Sequence, residues 1–65
     1  MTFSWTYLDG TGEQAGRSDP FEDRGTAEEW MGRAWEELLE GGVEEVALQD
    51  DDRGRRVYRM SLRAS

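Results

Sequence analysis

The acids of this 65-residue chain come in pairs and triples: Glu28-Glu29, Glu36-Glu37, Glu44-Glu45 and Asp50-Asp51-Asp52. Two carboxylates that share a proton can do acid–base work, and a cluster of them can hold a hard cation. Adjacent residues of a helix or strand point in different directions, however, so the glutamate pairs do not converge on one proton. The sequence contains no histidine, cysteine or lysine, which removes the usual general base, the thiolate and the amine nucleophile. Solvated surface charge is the better reading of these acids. A carboxylate hydrolase ranks last, and no enzyme is expected. Asp50-Asp51-Asp52-Arg53-Gly54 is not a calcium loop. An EF-hand needs acids at alternate positions, glycine sixth and glutamate twelfth, whereas this run is acidic at adjacent positions and has its glycine fifth. Gly10-Thr11-Gly12 lacks the third glycine and following helix of a nucleotide loop. No metal site and no cofactor are expected.

The arginines carry more information. Residues 1–52 hold all fifteen acids and three arginines, whereas residues 53–65 hold five arginines and no acid, within an overall net charge of −7. The overall acidity argues against non-specific binding of nucleic acid. It leaves room for a local basic stripe. In a regular strand Arg55, Arg59 and Arg63 share one face because their spacing is even. With Thr2, Ser4 and Thr6 of a neighbouring strand they would form a platform for phosphate, nucleic acid or an acidic peptide. The alternative, favoured here, is cross-strand pairing with Glu45 and other acids of the same chain. The lack of aromatic residues on that face weakens the single-stranded nucleic-acid version further.

These residues need elements to position them. TFSWTYL (2–8) alternates aromatic with polar residues and predicts a strand. Asp9-Gly10 is a turn signal, and EQAGRS (13–18) is a weak second strand. DPFEDRG (19–25) is a loop, since Pro20 breaks any ladder, and Phe21 is read as a plug for one end of the core. TAEEWMGRAWEELLEGG (26–42) predicts a helix with Thr26 as N-cap, Glu29 completing a capping box, and Gly41-Gly42 as the stop. VEEVALQ (43–49) and RRVYRMSL (55–62) are the third and fourth strands, joined by the polar turn DDDRG.

At about 100° per residue, Trp30 and Trp35 lie about 140° apart and flank a stripe of Ala34, Ala27, Leu38 and Met31. Small alanines let the helix approach a sheet, and the indoles reach down on either side. The apolar arc is broader than a minimal stripe and ends at Trp35, Leu39 and Gly32. Glycine inside a helix costs about 1 kcal/mol against alanine. Gly32, Trp35 and Leu39 are therefore candidates for a shallow contact surface, for a partner protein or a second copy. The competing reading puts both indoles in the core.

Together these elements predict a single domain over residues 1–65. Its fold class is α+β, a two-layer β-β-α-β-β arrangement with one helix packed on a four-stranded sheet. The most apolar strands are the first and last, which predicts the order 2-1-4-3, with parallel terminal strands as in the β-grasp layout. The expected core is Phe3, Trp5, Tyr7, Ala27, Trp30, Met31, Ala34, Trp35, Leu38, Val46, Leu48, Tyr58, Met60 and Leu62.

The segments FSWTYLD (3–9), SDPF (18–21), AEEWMG (27–32), WEELL (35–39), GVEEVAL (42–48) and VYRMSL (57–62) cover most of the chain. In these the sequence resembles a group of short, acidic, uncharacterised actinobacterial proteins. Their shared motifs are structural, so the resemblance implies one cytoplasmic domain and no reaction. No apolar run approaches the ~20 residues of a membrane span, and no secretory signal peptide is expected. The expected protein is a small cytoplasmic interaction module, with binding of phosphate or nucleic acid through the arginine stripe as the alternative.

Overall fold

The computed structural model describes residues 2–63. Five elements follow one another: β1 (Phe3–Leu8), β2 (Gln14–Arg17), α1 (Arg24–Glu40), β3 (Glu45–Asp50) and β4 (Arg55–Ser61). The four strands form one antiparallel sheet with α1 across one face, the expected two-layer α+β class. Asp9 organises the first hairpin. Its carboxylate accepts from the backbone N–H of Thr11 and Glu13 and from the Thr11 hydroxyl. These bonds hold its pKa below the usual carboxylate value, the Thr11 hydroxyl contributing most.

The strand order is β2-β1-β3-β4, not 2-1-4-3. β1 pairs with β3 from Phe3↔Asp50 to Leu8↔Glu45, so the terminal strands are separated and nothing in the sheet is parallel. Apolar content pointed to β4 as central, but burial on both faces decides centrality. In β3 the consecutive residues Val46, Ala47 and Leu48 are all fully buried, whereas β4 carries arginines that suit an edge.

The helix starts three residues earlier than its Thr26 cap predicted. Asp23 is the N-cap: its carboxylate accepts the Thr26 N–H at 2.7 Å, which also lowers its pKa. Aspartate caps better than threonine, and moving the start back leaves no acid in the first turn. The C-terminal stop is as expected. The Gly41 N–H bonds the carbonyls of Glu37 and Leu38, and Gly42 turns the chain with φ of 98°.

The buried cluster joins Trp5 to Ala27, Met31, Val43, Val46, Leu48 and Leu62. Ala27 has no exposed surface, and the Trp5 indole N–H donates to its carbonyl at 2.9 Å, so the close approach of helix and sheet also satisfies the indole. Phe3, Tyr7, Trp30, Trp35, Leu38 and Tyr58 pack around this cluster half-buried. Met60 leaves the expected core, with 39% of its surface exposed, while Val43, Leu8 and Ala47 are buried without having been expected there. Leu8 and Ala47 lie on the outer sheet face, opposite Glu45 and Thr6 in the β1–β3 pairing. Arg17 reaches over fully buried Ser4, donating to its hydroxyl at 3.1 Å and pairing with Asp51 at 3.3 Å.

Candidate functional site

The two indoles leave α1 toward opposite edges of the sheet. On the β2 side Trp30 meets Phe21, ring centroids 5.4 Å apart. Phe21 is held there by reciprocal backbone hydrogen bonds with Phe3, of 2.9 and 2.6 Å, and so acts as the expected plug. On the β4 side the layers gape. A groove of about 460 Å³ runs between them, with Met31, Gly32 and Trp35 on the helix bank and Tyr58, Met60 and Leu62 on the strand bank. Trp5 lies at the base, its ring edge-on to Tyr58 at 5.9 Å.

Charged groups mark the ends of the groove. Arg63 lines it and pairs with Glu44 at 2.9 Å. Near the helix N-terminus the Tyr58 hydroxyl donates to Glu28 at 2.7 Å, Arg24 donates to the same carboxylate oxygen at 3.1 Å, and the Arg24 guanidinium sits 5.2 Å over the Tyr58 ring. Burial, and then the Glu28 carboxylate, push the Tyr58 phenol up to about 12. Glu28 is held below the usual carboxylate value by the tyrosine hydrogen bond first and Arg24 second. A phenol so held is a poor acid near neutrality. The cluster is a structural clasp between helix and edge strand.

The three residues proposed from sequence separate. Gly32 and Trp35 line the groove. Leu39 packs against the core beyond it. A Cβ built on Gly32 would meet nothing within 4 Å, so the glycine opens space on the helix bank without any neighbour in this chain requiring it. Met60 is the groove residue that sequence reasoning placed elsewhere. Seeing it requires knowing that β4 is an edge, and the density of arginines in β4 is the signal that carries this.

The arginine stripe does not form. A register shift between Leu48 and Gln49 leaves Val57 as an extra residue, so Tyr58 opposes Leu48, Arg56 opposes Gln49 and Arg55 opposes Asp50. Cross-strand partners share a face. Arg55 therefore lies on the helix side of the sheet with Leu48 and Asp50, whereas Arg56 and Arg59 share the outer face. Arg59 pairs with Glu45 at 2.9 Å, the in-chain pairing favoured from sequence, and Arg63 lies beyond the end of β4. Arg55 and Arg56 make no ion pair among the described residues. Arg55 instead shares a shallow concavity with Arg24, Arg53, Arg56, Phe3 and Asp50 at the β3–β4 turn. Asp50 is nearly buried there and accepts the N–H groups of Asp52 and Arg53, so the aspartate run shapes a turn.

No group of three or more metal-ligating side chains occurs among the described residues, and none of their helices is long and apolar enough to cross a membrane. No protein-family model, curated protein or solved structure matches the chain.

Proposed function

We propose that this chain is a small non-enzymatic cytoplasmic protein-interaction module that takes its partner in the groove between α1 and β4. The observation that carries this reading is the groove itself, an apolar trough open to solvent beside an edge strand. Trp35 and Met60 supply adaptable apolar contact area, and Gly32 supplies room. Apolar concavities flanked by charge are where small domains bind other molecules. Binding of phosphate or nucleic acid at Arg55, Arg59 and Arg63 has less support, because two of the three are engaged by Glu44 and Glu45 and the third faces the other way.

Affinity capture from native lysate tests the reading when run with variants side by side. Trp35→Ala and Met60→Glu are expected to lose a species that the unaltered protein and Glu36→Arg, altered on the solvated helix face, both retain. Circular dichroism checks that each variant is folded. The same captured species on all four proteins would remove the groove from the account. Titration of labelled oligonucleotides at low salt, where the electrostatic contribution is greatest, tests the second reading.

A further inference from the structure

Resting on the interaction reading, we infer that the groove's occupant is an extended segment of another protein, alternating acidic with apolar residues, that adds to β4 as a fifth strand. Three observations converge on this. β4 is an edge strand of seven residues, so a row of its backbone N–H and C=O groups faces outward unpaired, whereas the opposite edge, β2, has four residues. The two faces of β4 differ in chemistry beyond the bulge. Tyr58 and Met60 face the groove and Arg59 the outer side; before the bulge Arg56 pairs with Gln49 on that outer side and also borders the concavity at the β3–β4 turn. An added strand continues the same alternation, its side chains pointing to the two faces in turn. Residues on the groove side would lie beside Met60 and Trp35, and those on the outer side beside Arg56, which has no ion pair among the described residues, and half-exposed Arg59. Cross-strand pairs of opposite charge stabilise a sheet and like pairs destabilise it. That preference selects acids on the outer side and disfavours a second copy, since two β4 strands paired edge to edge would bring their arginines together.

The chain's overall charge of −7 does not oppose this. Many of its acids, such as Glu13, Glu22, Glu29, Glu36 and Glu40, are exposed on other elements. At physiological salt, charges farther apart than about 8 Å are largely screened. The local arginines set the field that a strand on β4 meets.

The probe is a labelled synthetic peptide of about eight residues, an ordinary strand length, alternating glutamate with leucine and valine and followed by fluorescence anisotropy. The alternating peptide is expected to bind at least about tenfold more tightly than one of the same composition with its glutamates in a single block, and Met60→Glu and Arg56→Glu are each expected to weaken it by a similar factor. Strand addition has its own signature. Of two peptides N-methylated at alternate amides, one set facing each edge, one is expected to lose binding and the other to keep it. Equal binding of both N-methylated peptides, or of the block peptide, overturns the inference. So does a concentration-dependent dimer in sedimentation that Met60→Glu abolishes, which would put a second copy in the groove. If the peptide does not bind while lysate capture still depends on Trp35 and Met60, strand addition fails and the interaction reading survives. If capture is insensitive to both residues as well, both fail.

Discussion

Trp30 and Trp35 project from one helix onto one sheet, yet the chain sets an aromatic ring against the first and leaves the second at an open trough. On the β2 side the loop between β2 and α1 folds back. Ser18 exchanges hydrogen bonds with the backbone of Trp5, its N–H to the carbonyl and its hydroxyl from the N–H, each 2.8 Å, and Phe21 is bonded to Phe3. These tethers place an aromatic ring against Trp30. On the β4 side no described segment crosses the groove, and Met60 and Val57 stay more than a third exposed. A large apolar side chain is a core residue only when some other part of the chain supplies its far wall. Trp30 has that wall in Phe21, and Trp35 lacks one.

The sharpest test of that contrast is to truncate each indole. Trp→Ala in a core costs roughly 3–5 kcal/mol. Both rings are half-buried, so neither cost should rise above the low end of that range, and the two should differ. Trp30→Ala is expected to cost about 3 kcal/mol, because it also removes an aromatic pair worth roughly 1 kcal/mol, and Trp35→Ala about 1 kcal/mol, since it deletes contact on one side alone. Urea titrations of the two variants give both numbers. Equal costs would mean that the groove side is as well packed as the plugged side.

Next in size is Gly32→Ala. With open space around the added Cβ, the change should stabilise the protein by about 1 kcal/mol through helix propensity, raising the melting temperature by roughly 4–8 °C in a domain of this size. A loss of stability would mean that the helix bank is tighter than the geometry indicates. Smaller still is the capping pair. Asp23→Ala should lower the melting temperature more than Thr26→Ala, because Asp23 supplies the capping oxygen, whereas Thr26→Ala keeps the N–H that donates to it and removes only the weaker hydroxyl contribution. The opposite ranking would return the helix start to the position that sequence spacing suggested.

The same residues show how much was legible in advance. The helix, its Gly41-Gly42 stop, the aromatic alternation of β1 and the Phe21 plug depend on spacing within a few residues, and those features are local. That Gly32 and Trp35 border an open surface is legible for the same reason, since an over-wide apolar arc is also local. Strand order is legible only in the arginines that suit β4 to an edge; whether β3 or β4 lies beside β1 is decided by burial on both faces of β3 at Val46, Ala47 and Leu48, a long-range fact. One error follows from it: a central β4 would put Met60 in the core. The alignment of Arg55 with Arg59 fails for a separate reason, a bulge at Val57 that leaves no mark in an otherwise regular strand pattern. Asp23 is different. Aspartate is a favoured cap type, but Thr26 with Glu29 three residues on forms a complete capping box and draws the reading to the later start.

The finest comparison uses alkaline pH, since each side of the helix has one tyrosine. Tyr58 belongs to the groove and Tyr7 to the plugged side near Trp30. Burial raises both phenols, helped at Tyr58 by Glu28 and at Tyr7 by the charge of Asp19. A group whose pKa is higher in the folded state favours folding while it is protonated. That contribution is fully present below the unfolded value of 10.0 and is lost as pH rises toward the folded value, about 12 for Tyr58. The chain has no lysine, cysteine or histidine to titrate in this window, so the alkaline limb of stability belongs chiefly to the tyrosines. Tyr58→Phe should flatten that limb while lowering stability slightly near neutral pH, where it deletes the hydrogen bond to Glu28. Tyr7→Phe should flatten it less, because partial exposure is offset there by no carboxylate accepting the phenol's proton. Urea midpoints measured from about pH 8 to 11 give both slopes. If Tyr7→Phe has the larger effect, the clasp of Tyr58, Glu28 and Arg24 is loose in solution, and the groove is wider than its resting geometry.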